Sequence, residues 1–458
     1  MKKIALLLFG LSTATSFGQL PNTLTPADKV YGLSKFWQEV NYNFVYLNKV
    51  NRANWDKTYR ELITTVQKTE NDYQYYRELQ KFCALLNDGH TNVYFPQKRE
   101  FEQMTTMFGD YRFFIENIDG KAIIVRTNLS KKDEIPVGSE VIEVNGKPTK
   151  DYLKENVTPY ISSSTDYVLE DMGIGKLLTG LEDDKFQVKI KKPNQEIISL
   201  DLMHAKTKEQ EVFPEFEKEK ALLDFKWCDG QIAYVSLNSF QDAKIDSLFV
   251  KLLPELYKAK GLIIDLRYNG GGNTEIGTAI LKYLTKDKKI YGSRNSSRMH
   301  IPSFKAWGVF ASAADTVNNE WKKKALLSFK DNYFYNFDYA PEPIKLKAKR
   351  IVVPTAVLIG HNTASAAEDF LIYADNQKHF TKIGVNTFGS TGQPFIFGLP
   401  GGGSARICTK KDTYPDGREF VGYGIKPDIE VKRTLLDYNQ KRDPVFDTAL
   451  DFLKAKNK

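Results

Sequence analysis

Three consecutive glycines stand in the segment Asp265-Leu266-Arg267-Tyr268-Asn269-Gly270-Gly271-Gly272-Asn273, after the apolar run Leu262-Ile263-Ile264. Such a loop lets the backbone approach a ligand closely and turn its N–H groups outward, toward a phosphate or toward the oxyanion of acyl transfer. The phosphate alternative lacks its usual companions, since there is no Gly-Lys-Ser/Thr and no dinucleotide-type glycine spacing. Further along, His361-Asn362-Thr363-Ala364-Ser365-Ala366-Ala367-Glu368 lies between a buried run ending at Gly360 and a helical pattern. A serine at a strand-to-helix junction is placed for attack, and the N–H after it can help bind an oxyanion. Read in isolation, Thr363 or Ser365 is more simply a helix cap. Cys83, Cys228 and Cys408 are widely spaced, and His90, His204, His300, His361 and His379 lack zinc-ligand spacing. No metal and no cofactor are expected.

These residues need a scaffold, and the hydrophobic periods supply one. Apolar positions recur at three and four in Leu33 to Val40, and again through Tyr75, Leu79, Phe82, Leu85 and Leu86. Residues 26–86 are therefore expected to be helical. Asn87-Asp88-Gly89 should stop the last helix, glycine being the residue that most easily takes the left-handed conformation. Thr91 to Phe95 reads as a short extended piece. From 110 to 205 the period changes, with short β candidates at 113–115, 122–125, 141–144 and 186–190 and a tight primed turn at Asn145-Gly146. From about 230 strand and helix alternate: Ile232 to Leu237, Leu262 to Leu266, Thr274 to Leu284, then Ile351 to Ile359. That alternation predicts a layered α/β core. An aromatic, lysine-rich stretch at 296–349 reads as an insertion, and Val445 to Leu453 as a closing helix.

The amino end has its own layout. Met1-Lys2-Lys3 is basic, Ile4 to Leu11 is apolar, and Ser12 to Gly18 is small and polar apart from Phe17. This is the pattern of a secretory signal peptide cleaved after Gly18, and its apolar run is too short to span a bilayer. No cysteine follows the cleavage point, so no lipid anchor is expected there. No later segment approaches eighteen uninterrupted apolar residues, and stable membrane insertion after cleavage is not expected. The formal charge of +8 falls to +6 without Lys2 and Lys3, with both signs mixed along the chain. No basic block is long enough to track nucleic acid. An exported chain is implied, periplasmic or secreted.

Taken together, Asp265-Leu266-Arg267-x-Asn269-x-Gly271-Gly272 after a strand and Thr363-Ala364-Ser365-Ala366-x-Glu368 resemble the tail-specific (C-terminal processing) serine peptidases and their tricorn-like relatives. Gly384-Val385-Asn386-Thr387-Phe388-Gly389 and Gly424-Ile425-Lys426-Pro427-Asp428-Ile429 are similar to two later family motifs. The stretch Ile135 to Gly146 resembles the heart of the family's PDZ module. The resemblance implies a multidomain α/β architecture: signal peptide 1–18, helical amino-terminal domain 19–108, PDZ-like module 109–205 and layered α/β peptidase core 206–458. It also implies Ser365 as nucleophile, with Gly270 or Gly271 and the N–H of Ala366 as oxyanion hole. Glu368 falls on an acidic position of the motif, where a carboxylate favoured by the helix dipole reads equally well.

One departure changes the chemistry. Tail-specific members carry a lysine base immediately after Thr-Phe-Gly, and here that position is Ser390. A hydroxyl is no base near neutrality. Leu85-Leu86-Asn87-Asp88-Gly89-His90 resembles the tricorn-like segment that contributes a histidine base, so His90 is the residue expected to accept the Ser365 proton. By the same resemblance an acidic residue near the final glycines should support it. Val421 stands at the nearest position, which leaves Glu419 as the choice and Asp416 as another turn acid. Asp88 is expected to hold its turn rather than to polarise His90. The implied activity is that of an exported serine endopeptidase acting on peptides or proteins, extended strands or free carboxyl termini being common ligands of PDZ modules. The alternatives are an inactive ligand- or peptide-binding protein on the same fold, and a Ser-Lys peptidase using Lys382.

Overall fold

The computed structural model describes residues 23–98, 101–217 and 219–457. The expected signal peptide lies outside the described residues. Helices Pro26–Asn43, Arg52–Gln67 and Asp72–Ala84 come first among the described residues, each started by a side-chain cap, from Thr25, Asn51 and Asn71. Their apolar faces bury Leu33, Phe36, Val40, Trp55, Leu79 and Phe82 together, with Trp55 stacked on Phe82 at 3.8 Å. The stop after the third helix differs from expectation. Asn87 takes the left-handed backbone at φ 48°, while Gly89 serves close packing, since a Cβ there would lie 2.7 Å from the Phe388 ring. The extended piece after it becomes strand Asn92–Tyr94, paired antiparallel with Ser404–Cys408. That pairing ties the amino-terminal helices to the distant core and carries His90 with them.

Residues 103–213 build a mainly antiparallel sheet. Its strands run in the order Ile197–Met203, Lys185–Lys191, Glu140–Val144, Lys121–Asn128, Tyr111–Ile118 and Met107–Phe108. Helix Asp166–Gly175 packs against it, and Phe113, Ile124, Val141, Val188, Ile190 and Ile174 share one apolar cluster. Asn145 and Gly146 both have positive φ, 49° and 76°, as a primed turn requires.

The core is a six-stranded sheet in the order Leu223–Cys228, Ile232–Leu237, Gly261–Asp265, Thr355–Ile359, Phe380–Gly384, Ile429–Glu430. Only the first pair is antiparallel. Period-2 alternation buries both faces. In Thr355–Ile359, Val357 and Ile359 join Phe249, Ile276 and Phe370 on one side, whereas Ala356 and Leu358 meet Val445, Ala449 and Leu453 of the closing helix on the other. This strand starts four residues later than expected, because Pro354 interrupts the apolar run. The insertion carries helices Pro302–Gly308 and Glu320–Phe329 and is anchored by strand Arg294–Arg298, which pairs with Lys411–Thr413.

Candidate active site

Ser365 sits where strand Thr355–Ile359 has ended and helix Ala366–Tyr373 begins. The intervening loop is held from beneath. The buried Thr363 hydroxyl donates to Leu266 O at 2.9 Å and accepts the Gly360 N–H at 3.1 Å, and Ala364 N–H donates to Asn269 O at 3.1 Å. Ser365 occupies the N-cap position, as the cap reading allows, but its backbone is unlike that of a plain cap. Caps normally take extended dihedrals, and Asn71 does so at φ −153°, ψ 171°. Ser365 stands at φ 56°, ψ −121°, a backbone that costs a non-glycine residue about 1–3 kcal/mol and persists only where the surroundings enforce it. Glu368 supplies part of that enforcement, accepting the Ser365 N–H at 3.0 Å. The Ser365 side chain makes no hydrogen bond to another side chain among the described residues.

The glycine loop presses on this elbow. At Gly271, φ is 95°, and an added Cβ would fall 2.7 Å from Ser365 Cβ and 2.9 Å from Ala366 N. The Gly271 N–H, expected as an oxyanion donor, is instead spent on Asn269 Oδ1 at 2.9 Å. Its contribution is therefore space. Asn269 is fully buried and anchored through its amide to Leu237 O at 2.8 Å. The Gly270 N–H and the Ala366 N–H have no partner among the described residues, the latter because the first N–H groups of a helix have no intrahelical acceptor.

His90 Nδ1 lies 2.7 Å from Ser390 Oγ, while Nε2 makes no hydrogen bond among the described residues. Burial pushes the imidazole down to about 4, helped by the positive charges of Arg406 and Lys410. Glu368 ties the two halves together. Besides the Ser365 N–H, it accepts the Thr387 hydroxyl at 2.6 Å and the Gly389 N–H at 2.8 Å, directly before Ser390. Its burial is complete and pushes the carboxyl up to about 8 against the pull of those donors. The sheet unit of residues 103–213 closes over the same segment: Tyr167 Oη donates to Thr387 O at 2.6 Å, and Thr165 Oγ1 to Phe388 O at 3.3 Å.

Residues 231–431 match the model of peptidase family S41. A carboxyl-terminal-processing protease of Picosynechococcus sp. is 22% identical over 450 residues, spanning 95% of this chain and 92% of its own. The carboxy-terminal processing protease CtpA of Bacillus subtilis is 22% identical over 380 residues, spanning 81% of this chain and 66% of its own. The solved structure of mature CPAF complexed with lactacystin shares the fold, with a TM-score of 0.65 at 15% identity over 94% of this chain and 98% of that one.

The chain is a serine peptidase, and its structure sorts the sequence-derived site residues. Ser365, Gly270, Gly271 and Ala366 are brought together, and His90 is joined to them through Ser390, Gly389 and Glu368. Glu419 is not. Its exposed carboxylate pairs with Lys49 at 3.2 Å and with Lys411, and the His90 nitrogen it was expected to orient is occupied by Ser390. Lys382 is likewise engaged elsewhere, on Asp428 at 3.3 Å. Sequence reasoning missed Ser390 as a partner of His90. The Thr387-Phe388-Gly389 motif marked the position, but a hydroxyl there registered only as a lost base. It also missed Arg406, in strand Ser404–Cys408, and Lys410, just before strand Lys411–Thr413, neither with a motif around it.

Proposed function

We propose that the chain is an exported endopeptidase of the carboxyl-terminal-processing type, with Ser365 as nucleophile and His90 as general base. His90 Nε2 takes the hydroxyl proton as Ser365 Oγ bonds to the peptide carbonyl carbon. The charge then on the carbonyl oxygen meets the unspent N–H groups of Gly270 and Ala366. When the C–N bond breaks, His90 returns the proton to the leaving amine. A water deprotonated by His90 then releases the acyl group and restores Ser365. The two catalytic side chains share no hydrogen bond, a common condition of such sites without substrate. The organisation proposed alongside is a signal peptide 1–18, a helical domain 19–108, a PDZ-like module 109–205 that offers a strand edge to extended peptides, and a core 206–458.

The observation that carries the proposal is the left-handed backbone of Ser365, pinned by Glu368 beside two unspent N–H donors. A cap accounts for the Glu368 contact, which is half of a capping box, and for the open Ala366 N–H, but not for the positive φ of Ser365. The test is labelling of the purified chain with a fluorophosphonate, together with cleavage of carboxyl-terminal peptides. Ser365→Ala should lose both while keeping its melting temperature within a few degrees. Full cleavage by Ser365→Ala refutes the nucleophile assignment. Loss of stability with activity intact leaves only the cap.

A further inference from the structure

Ser390 occupies the place of the family's lysine base, and it connects two groups that sequence reasoning kept apart. Its Oγ is 2.7 Å from His90 Nδ1 on one side and 3.5 Å from Asp88 Oδ1 on the other. Ser390 and Asp88 are at most 2% exposed. We propose that Ser390 and Asp88 are positioning residues that hold His90 in the tautomer with its proton on Nδ1, leaving Nε2 as the free base. This rests on the reading of His90 as the base and adds how its lone pair comes to be on Nε2.

The direction of the hydroxyl proton decides the tautomer. A serine hydroxyl has one proton and can accept as well. If it gave that proton to Nδ1, the imidazole would carry its own proton on Nε2 and could not act as a base there. A carboxylate accepts only. With Asp88 ionised, the Ser390 proton turns toward Oδ1, and Ser390 Oγ is left to accept the Nδ1 proton. The other partners of Asp88 are also donors: Thr91 Oγ1 at 2.6 Å on Oδ2 and Ser164 Oγ at 3.4 Å on Oδ1. The hydroxyl cannot drift from this line, because the preceding Gly389 N–H is held by Glu368 and the Phe388 N–H by Thr363 O at 2.9 Å. The order Asp88, Ser390, His90, Ser365 thus does the work of a triad acid with one hydroxyl interposed.

The test uses the full mature chain with 15N-labelled histidine, His90 being assigned by the signal missing in His90→Gln. The wild type should show a protonated Nδ1 and an unprotonated Nε2 at neutral pH. Asp88→Asn turns one of the two accepting oxygens into a donating NH2 and removes the charge that orients the Ser390 proton, and should move the imidazole proton to Nε2. Ser390→Ala should lower kcat about ten- to a hundredfold, the loss of one hydrogen bond to a group that becomes charged, with KM within about twofold, and Ser390→Thr should restore it. A wild-type Nε2–H, or an unchanged tautomer in Asp88→Asn, overturns the proposal whatever the activity. If instead His90→Gln keeps full turnover, it is the base assignment that fails, even with the tautomer as stated.

Discussion

The electrostatics of His90 lead to a pH profile that differs from that of an ordinary histidine base. A solvated imidazole titrates near 6.5, so at pH 5 only about 3% of it would be neutral and able to accept a proton. Burial, reinforced by Arg406 and Lys410, places His90 at about 4. At pH 5 about nine-tenths is then neutral. Activity should therefore hold nearly level from pH 8 down to 5, where an unperturbed base would have lost about thirtyfold, and its acid limb should fall close to 4. The assay is kcat/KM on a carboxyl-terminal peptide across pH 4–9, with Arg406→Gln and Lys410→Gln beside the wild type. Each substitution removes a positive charge that opposes protonation, so each should move the limb upward, Arg406→Gln further. Asp88 is a second group in contact with this unit, and burial pushes its carboxyl up, so Asp88→Asn completes the set. The same perturbation has a stability signature. The folded value lies below the unfolded one, so the contribution is fully present above 6.5 and lost as pH falls through about 4. The gap amounts to about 3 kcal/mol at most, readable as the difference between wild type and His90→Asn. A wild-type limb at 6.5 or above, or a limb that ignores both cations, refutes the reasoning.

Gly271→Ala should lower kcat at least about a hundredfold with little loss of secondary structure, because its methyl would enter the 2.7 Å space against Ser365 Cβ at a φ of 95°; turnover within tenfold of wild type would separate the loop from the chemistry. Glu419→Gln should change kcat by less than about twofold, its two lysine partners being surface ion pairs worth at most about 1 kcal/mol, and a hundredfold loss would return it to the site. Ser390→Lys in a His90→Ala background should not restore cleavage, since the Asp88 carboxylate facing that position would keep the new ammonium protonated; recovery of wild-type rate would show a lysine base to be sufficient. Exported material should begin at or near Gln19 by mass spectrometry, and a mature chain that keeps Met1 to Gly18 would contradict the signal-peptide reading.

How much of this could be read from the residues depended on range. Helix faces, strand alternation and the Asn145-Gly146 turn are local, set by periods of 3.6 and 2 and by left-handed propensity, and the structure agrees with them closely. The stop at 87–89 shows the limit of local reasoning. Either Asn87 or Gly89 could take the left-handed position, and the choice is made by Phe388, some three hundred residues away, whose ring needs the space a Cβ at Gly89 would fill. The oxyanion donors divide in the same way. A run of three glycines announces an exposed backbone, but which N–H remains free depends on Asn269, whose side chain is fixed by Leu237 on the neighbouring strand and captures the Gly271 N–H. Glu419 was reached by counting from a motif. Counting ignores that Lys49 and Lys411 stand beside it.

Position 390 joins these threads. A lysine there would set its ammonium against the buried Asp88 carboxylate, in a site already facing Arg406 and Lys410. To act as a base it would have to lose its proton beside that carboxylate, whose opposite charge resists the loss although burial and the charges of Arg406 and Lys410 favour it. A serine avoids the conflict. It keeps the Thr387-Phe388-Gly389 backbone on Glu368, adds no charge, and uses its hydroxyl to join a carboxylate that prefers to accept to an imidazole that must present its lone pair. The base then has to come from elsewhere in the chain. The antiparallel pairing of Asn92–Tyr94 with Ser404–Cys408 is what brings His90 within 2.7 Å of that hydroxyl. The missing lysine and the histidine on the far side of the molecule are thus two parts of one arrangement, and a change at either position should be felt at the other.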